Sequence, residues 1–204
     1  ADGSYVIEGL STGSYYLQAY AAGNYLNEYC SDPLSVENCG SAQAIAVTVG
    51  DVVTGRNFQL DVGAAISGTV YESDGATAII DGWVLAFTGD PCSPNPVGYG
   101  MINADGSYVI EGLSTGSYYL QTYTAGNYLD EWWAGPLSVE NCGNAQVIAA
   151  TAGDAVTGKN FQVDSITATE PNVTTAAVTH ITPTGAETGG NATSDAGASI
   201  TAKG

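Results

Sequence analysis

The sequence contains twice, at residues 1–18 and 104–121, the stretch ADGSYVIEGLSTGSYYLQ. Apolar side chains within it alternate with polar or small ones, which is the period of half-buried β-strands. Asp105-Gly106 and Thr115-Gly116 interrupt the alternation, and a glycine at these points suits the positive φ of a tight turn. The stretch therefore predicts antiparallel β-structure at two places in the chain.

The likeness extends over residues 1–61 and 104–164 at a constant offset of 103, and 47 of these 61 positions are identical. PLSVENCG lies in the middle of both copies, and VTGRNFQLD in the first copy corresponds to VTGKNFQVD in the second. Close internal repeats are typical of arrays of similar structural units. The repeat therefore organises the chain.

The second copy and the residues before it predict seven short strands, at 65–71, 82–88, 98–103, 107–113, 117–124, 146–152 and 160–164. Only 12% of the residues are charged, which leaves few of the side chains typical of exposed helices. Together these features predict an all-β sandwich. Trp83 alternates with Leu85 and Phe87 and is expected in the core.

Four motifs carry a resemblance to a known family: Ile66-Ser67-Gly68-Thr69-Val70, Ala104-Asp105-Gly106-Ser107-Tyr108, the run from Gly112 to Tyr118, and Gly126-Asn127-Tyr128-Leu129 with Glu131-Trp132 beyond it. On these residues the chain resembles the carboxypeptidase-regulatory-like, or prealbumin-like, β-sandwich repeats of secreted and cell-surface proteins. The resemblance covers residues 62–164 fully and 1–61 as a half unit. It implies an Ig-like or prealbumin-like sandwich serving as a spacer, stem or accessory domain, and it implies no catalytic residues.

The predicted organisation is a half sandwich at 1–61, holding the last four strands, a complete sandwich at 62–164 and a Thr/Ala-rich tail at 165–204. The half sandwich offers an apolar face with nothing packed on it, formed by Tyr5, Ile7, Tyr15, Leu17, Ile45, Val47 and Phe58. Each such side chain left in water forfeits about 1.5–3 kcal/mol. We therefore expect the missing strands to come from elsewhere.

The tail matches the missing part in length, because residues 62–103 number 42 and residues 165–204 number 40. It contains three extended Thr/Ala/Ile-rich patches, around 166–169, 176–182 and 198–202. The sequence thus predicts that the tail of one subunit completes the half sandwich of the next.

The four cysteines have no metal-ligand spacing, so disulfides in an oxidising compartment are expected. Cys30 with Cys39 closes a small loop and is the first expected pair. Cys92 with Cys142 is the second, although the strands between them would place the two loops at opposite ends of a simple up-and-down sandwich. Free thiols stay as the alternative.

The balance of 3 basic against 21 acidic residues gives a net charge of −18 and argues against nucleic acid or anionic membranes as partners. No apolar stretch approaches the roughly 20 residues that a membrane helix needs. The sequons at Asn172 and Asn191 are candidate glycosylation sites and fit an extracellular or cell-surface location.

Sequence motifs for catalysis are missing, so no enzymatic activity and no cofactor are expected. His180 has no neighbouring ligand or paired carboxylate in sequence. Asp2 and Asp105 lie in Asp-Gly turns where an oxygen for Ca²⁺ is conceivable, but turn chemistry explains them alone. Trp132 and Trp133 lie in a predicted loop and are candidates for an interface or a glycan contact.

The sequence therefore predicts a structural subunit of an extracellular, pilus-like filament that polymerises with itself head to tail by strand donation. The alternative is a stalk or binding module of a larger surface adhesin or carbohydrate-binding protein, with glycans as partners of the tryptophan loop.

Overall fold

The computed structural model describes residues 2–20, 22–93, 95–166, 173–175, 179–187 and 190–192. The chain divides into two compact units, Ala1–Asp164 and Ser165–Gly204. The first unit contains both copies of the repeat. No α-helix occurs among the described residues.

The first copy of the repeat forms only short strands, β1 Gly13–Tyr15, β2 Gln18–Ala19, β3 Glu28–Tyr29 and β4 Ile45–Val47, with a 3₁₀ turn at Cys39–Ser41. β1 pairs antiparallel with β4, and β2 pairs antiparallel with β3. Residues 4–10 and 51–60, although rich in strand-forming side chains, adopt no strand.

Residues 62–164 form β5 Ala64–Glu72, β6 Gly82–Phe87, β7 Pro96–Met101, β8 Ser107–Leu113, β9 Gly116–Thr124, β10 Trp132–Trp133, β11 Ser138–Val139, β12 Ile148–Ala150, β13 Ala155–Val156 and β14 Phe161–Val163, with a 3₁₀ turn at Cys142–Asn144. All seven predicted strands are therefore present. The all-β sandwich is confirmed.

Two sheets enclose the core of this complete sandwich. The larger has the strand order β11-β10-β9-β6-β7, and β12 also pairs with β9. In the smaller sheet β5 is central, because β8 pairs with it antiparallel while β13 and β14 pair with it parallel. The fully buried side chains between the sheets include Ile66, Val70, Val84, Tyr108, Ile110, Leu120, Phe161 and Val163.

The expected core position of Trp83 is wrong. The period of two along β6 holds, but the inner face carries Gly82, Val84 and Ala86, all buried, while Trp83 is 37% exposed. Position 82 requires a glycine because a Cβ there would lie 2.4 Å from the carbonyl oxygen of Tyr123. The tryptophan consequently lies on the outer face of the sheet.

The second compact unit, at residues 165–204, contains β15 Val173–Thr175, β16 Thr179–Thr182, β17 Gly185–Glu187 and β18 Gly190–Ala192. β16 pairs antiparallel with β17, and β15 pairs antiparallel with β18 outside them. The described part of the tail is thus a hairpin. The predicted patch at 176–182 overlaps β16, whereas most of 166–169 and all of 198–202 lie outside the described residues.

Candidate functional site

The first copy of the repeat is built on the same long-range hydrogen bonds as the second. The hydroxyl of Tyr108 donates to the carbonyl oxygen of Lys159 at 2.6 Å, and the hydroxyl of Tyr5 donates to the carbonyl oxygen of Arg56. The ring centroids of Tyr108 and Phe161 lie 6.1 Å apart, and those of the corresponding first-copy rings lie 6.0 Å apart. The first copy therefore keeps these two long-range contacts of the second copy.

At the end of each copy, a buried glutamate carboxylate accepts a hydrogen bond from the main-chain amide of the last residue. The amide of Asp164 donates to Oε1 of Glu131 at 2.9 Å, and the amide of Asp61 donates to Oε1 of Glu28 at 2.8 Å. Burial raises the pKa of Glu131, and the hydrogen bond from Asp164 only partly opposes this. Each copy thus ends in the same local geometry.

In the described part of the chain, no strand takes the place of β5 or of the β6–β7 hairpin beside the first copy. In the complete sandwich β8, β13 and β14 form their main-chain pairs with β5. Their counterparts at residues 4–10 and 51–60 consequently pair with no strand in the described part of the chain. Unpaired strand edges of this kind are templates for an added strand.

Equivalent side chains are also more exposed in the first copy than in the second. Tyr108 and Ile110 are both 0% exposed, whereas their first-copy counterparts Tyr5 and Ile7 are 47% and 52% exposed. The side chains of the two copies are identical, so the difference arises from what packs on them. In the second copy that partner is β5, with Ile66 and Val70 fully buried.

The gap is an open groove of about 1180 Å³. Its lining comes from residues 3–10, 15–19, 45–48 and 50–60, so it runs between the counterpart of β8 and the counterparts of β13 and β14. Tyr5, Ile7, Leu17, Val47 and Phe58 line it. We name this the acceptor groove.

The complete sandwich shows what fits such a groove. A Cβ on Gly68 of β5 would lie 2.2 Å from the carbonyl oxygen of Lys159, so β5 needs a glycine at this position. Arg56 is the counterpart of Lys159 in the acceptor groove. A strand entering it therefore needs a glycine opposite Arg56.

One of the two expected cysteine pairs is confirmed and the other is not. Cys92 and Cys142 form a disulfide, with Cα atoms 5.2 Å apart, because β10 doubles back along β9 and carries the 3₁₀ turn to the end of β6. Cys30 and Cys39 are free thiols, so their expected bridge is wrong. Cys30 is only 2% exposed whereas Cys39 is exposed, so the two thiols lie in different environments.

The expected open loop at Trp132 and Trp133 is also wrong, because the two residues form β10. Trp132 is 4% exposed and its ring centroid lies 5.2 Å from that of Phe87. Trp133 packs against the core, and Nζ of Lys159 lies 4.4 Å from its ring centroid. Neither ring is available as a stacking surface.

The remaining candidate residues carry no assembled site. Asp2 and Asp105 each accept the backbone N–H and the hydroxyl of a serine two residues on, which lowers the pKa of both carboxyls. Within the described ranges, no three His, Cys, Asp or Glu side chains meet as metal ligands do. His180 lies in β16 and Asn191 in β18, while Asn172 lies outside the described residues.

No helix in the described part of the chain has the length and apolar character that crossing a bilayer requires. The Cys92–Cys142 disulfide indicates a non-cytoplasmic protein, because structural disulfides persist in oxidising compartments.

Fold and groove together show a β-sandwich repeat protein with a complete sandwich at residues 62–164 and an open groove on the first copy of the repeat. No family model matches the sequence, and no curated protein matches it. Two solved structures show distant likeness: the Bacillus anthracis TIE protein, with 16% identity and a TM-score of 0.34 over 76% of this chain, and a DUF3823 family protein from Parabacteroides merdae, with 15% identity and a TM-score of 0.31 over 63%. The chain spans 25% and 58% of their respective lengths, and likeness at this level carries no functional argument.

Proposed function

We propose that this chain is a non-enzymatic structural subunit of an extracellular, pilus-like filament, in which the tail of one copy completes the acceptor groove of the next. The observation that carries the proposal is the groove itself, whose lining is identical in kind to a face that is fully buried in the second copy. Leaving several such side chains in water forfeits about 1.5–3 kcal/mol each.

The strands at 62–103 do not complete the first copy within the same chain. β5 runs parallel to β14, so its counterpart in the groove must run parallel to residues 58–60. Only Asp61, Val62 and Gly63 lie between residue 60 and β5. Parallel neighbours need a crossover of about a dozen residues or more, so this link is too short.

The tail has the character of the missing segment. Its described strands form an antiparallel hairpin, as β6 and β7 do in the complete sandwich. It contains no cysteine, which agrees with a free thiol at Cys39, the counterpart of the bonded Cys142. A head-to-tail interface of this kind is heterologous and propagates as a fibre unless its rotation closes a ring.

Electron microscopy of the intact chain beside a chain ending at Asp164 tests the proposal. We expect filaments from the first and none from the second. An intact chain that stays a folded monomer at high concentration overturns strand donation.

A self-completed variant supplies a matched control. A second copy of residues 62–103 fused in front of Ala1 places the natural partner segment before the acceptor groove, where the chain connectivity is that of the complete sandwich. This variant should remain monomeric and bond Cys39 to its added cysteine. Filaments from it would show that the acceptor groove is not the polymerising surface.

Trypsin provides a second measurement, because the chain has three basic residues and two of them are counterparts, Arg56 and Lys159. In the monomer we expect fast cleavage after Arg56, whose segment pairs with no described strand, and slow cleavage after Lys159, whose N–H donates to Ser67 at 3.0 Å. Assembly should protect Arg56 and leave Lys159 unchanged. Equal rates at Arg56 before and after assembly would contradict groove filling.

A further inference from the structure

The outer face of the larger sheet carries an aromatic row across three adjacent strands. Met101, Trp83 and Tyr123 are direct cross-strand partners on β7, β6 and β9. They are 60%, 37% and 60% exposed. Tyr99 is 67% exposed, and its ring meets that of Trp83 edge to face with centroids 5.4 Å apart. We name these four residues the aromatic platform.

The outward-facing strand positions around the platform are uncharged. The outward positions of the three strands are 83, 85 and 87 on β6, 97, 99 and 101 on β7, and 117, 119, 121 and 123 on β9, and none is Asp, Glu, Lys or Arg. The chain as a whole carries a net charge of −18. Its field repels acidic polymers and anionic lipids, and the outward strand positions offer no carboxylate to a cationic ligand, so an uncharged ligand is favoured.

A polar depression continues the same face. Trp132, Gln121, Leu85 and Tyr99 lie on neighbouring strands in one cross-strand row. At the Trp132 end a shallow depression of about 530 Å³ is lined by Gln121, Glu140, Asn141 and the disulfide. Flat rings beside amide and carboxylate groups match a sugar chain, which has apolar ring faces and hydroxyl edges.

We propose that the aromatic platform and this depression bind a neutral polysaccharide, the sugar rings stacking on Trp83 and Tyr123 and the hydroxyls bonding near Gln121. The site lies wholly within residues 62–164. It therefore does not depend on strand donation, and a monomeric chain binds as a filament subunit does.

Affinity electrophoresis and pull-down of the intact chain on neutral polysaccharides test the inference, with cellulose, chitin, mannan and a mixed-linkage glucan as probes and alginate as the acidic control. We expect retention by at least one neutral polymer and none by alginate. Trp83→Ala with Tyr123→Ala should weaken retention by about tenfold or more, and Trp83→Phe should restore part of it.

The matched control is Tyr20→Ala. Tyr20 is the first-copy counterpart of Tyr123 and is 80% exposed, but the first copy lacks β6 and β7 and so lacks the platform. This substitution should leave retention unchanged. Formation of the Cys92–Cys142 disulfide and an unchanged far-ultraviolet circular dichroism spectrum confirm that each variant is folded.

Three outcomes would overturn the inference. They are retention by no neutral polymer in the panel, retention that survives the double substitution, and stronger retention on alginate than on neutral polymers. Lateral bundling of filaments that disappears in the double variant, without retention on any polysaccharide, would instead assign the platform to contacts between copies of this chain.

Discussion

Glu131 places an ionisable carboxyl in a buried position, 2% exposed, where it accepts the amide hydrogen of Asp164. Because burial raises its pKa above the ordinary 4.5, its protonated form is favoured in the folded state. The resulting contribution to stability is complete below pH 4.5 and is lost as the pH rises through the folded-state pKa.

Glu131→Gln removes this titration while keeping an acceptor for Asp164. We expect the wild type to lose free energy of unfolding relative to the variant as the pH rises from 4.5 through the raised folded-state pKa of Glu131, measured by urea unfolding at a series of pH values. Asp105→Asn is the control of opposite sign, because hydrogen bonds from Ser107 lower the pKa of Asp105 and its contribution is lost only as the pH falls below 3.8. A pH-independent difference between wild type and Glu131→Gln would contradict the assignment.

Ile7 and Ile110 are the same residue in the two copies and differ in burial, 52% against 0% exposed. Ile110→Ala should lower the free energy of unfolding by about 2–5 kcal/mol, because it leaves a cavity in a closed core. Ile7→Ala should lower it by less than about 1 kcal/mol in the monomer, since the side chain is half solvated. Denaturant melts of the dilute chain measure both, and equal losses would mean that the groove is already closed.

Single residues also mark where sequence patterns mislead. The alternation along β6 predicts the strand but not which of its faces points into the core. The larger side chain, Trp83, lies on the outer face, and the smaller Val84 is buried. The signal lay in Gly82, where a Cβ would lie 2.4 Å from the carbonyl oxygen of Tyr123 on the neighbouring strand. Trp132 and Trp133 were missed as a strand because a two-residue element has no measurable period.

At the scale of elements, β5 organises the smaller sheet, because β8, β13 and β14 all pair with it. Long strands with clear alternation, such as β5 and β9, follow from the sequence. The parallel pairing of β5 with β14 does not, because partner choice depends on contacts remote in sequence. The Cys92–Cys142 pair was predicted because Cys92 was the one available partner for Cys142. A simple up-and-down sandwich would place the two loops at opposite ends, but β10 and β11 depart from that topology.

The disulfide should contribute strongly, because it closes a loop with a sequence separation of 50 between β6 and the turn after β11. Cys92→Ser with Cys142→Ser should lower the free energy of unfolding by about 2–4 kcal/mol. Cys39→Ser, at an exposed free thiol, is the matched control and should change it little. Equal stability of the double variant and the wild type under oxidising conditions would contradict the expectation.

At the scale of the whole molecule, 21 acidic residues face 3 basic ones. Repulsion among them opposes the compact state, and salt screens it within a Debye length of about 8 Å at physiological ionic strength. The melting temperature should therefore rise from low to physiological ionic strength and then level off. Choline chloride should act as sodium chloride does, and a flat or falling profile would contradict the repulsion.

Both copies end in an aspartate whose amide donates to a buried glutamate, Asp61 to Glu28 and Asp164 to Glu131, and the copies lie at a constant offset of 103. This likeness of the two ends has an evolutionary consequence. Near-identical copies are substrates for unequal crossing-over, which adds or removes one whole period between them. Each such event inserts or deletes a sandwich whose two junctions already fit. The acceptor groove and residues 165–204 stay unchanged, so the number of sandwiches in the chain changes by gene duplication without any redesign of a junction.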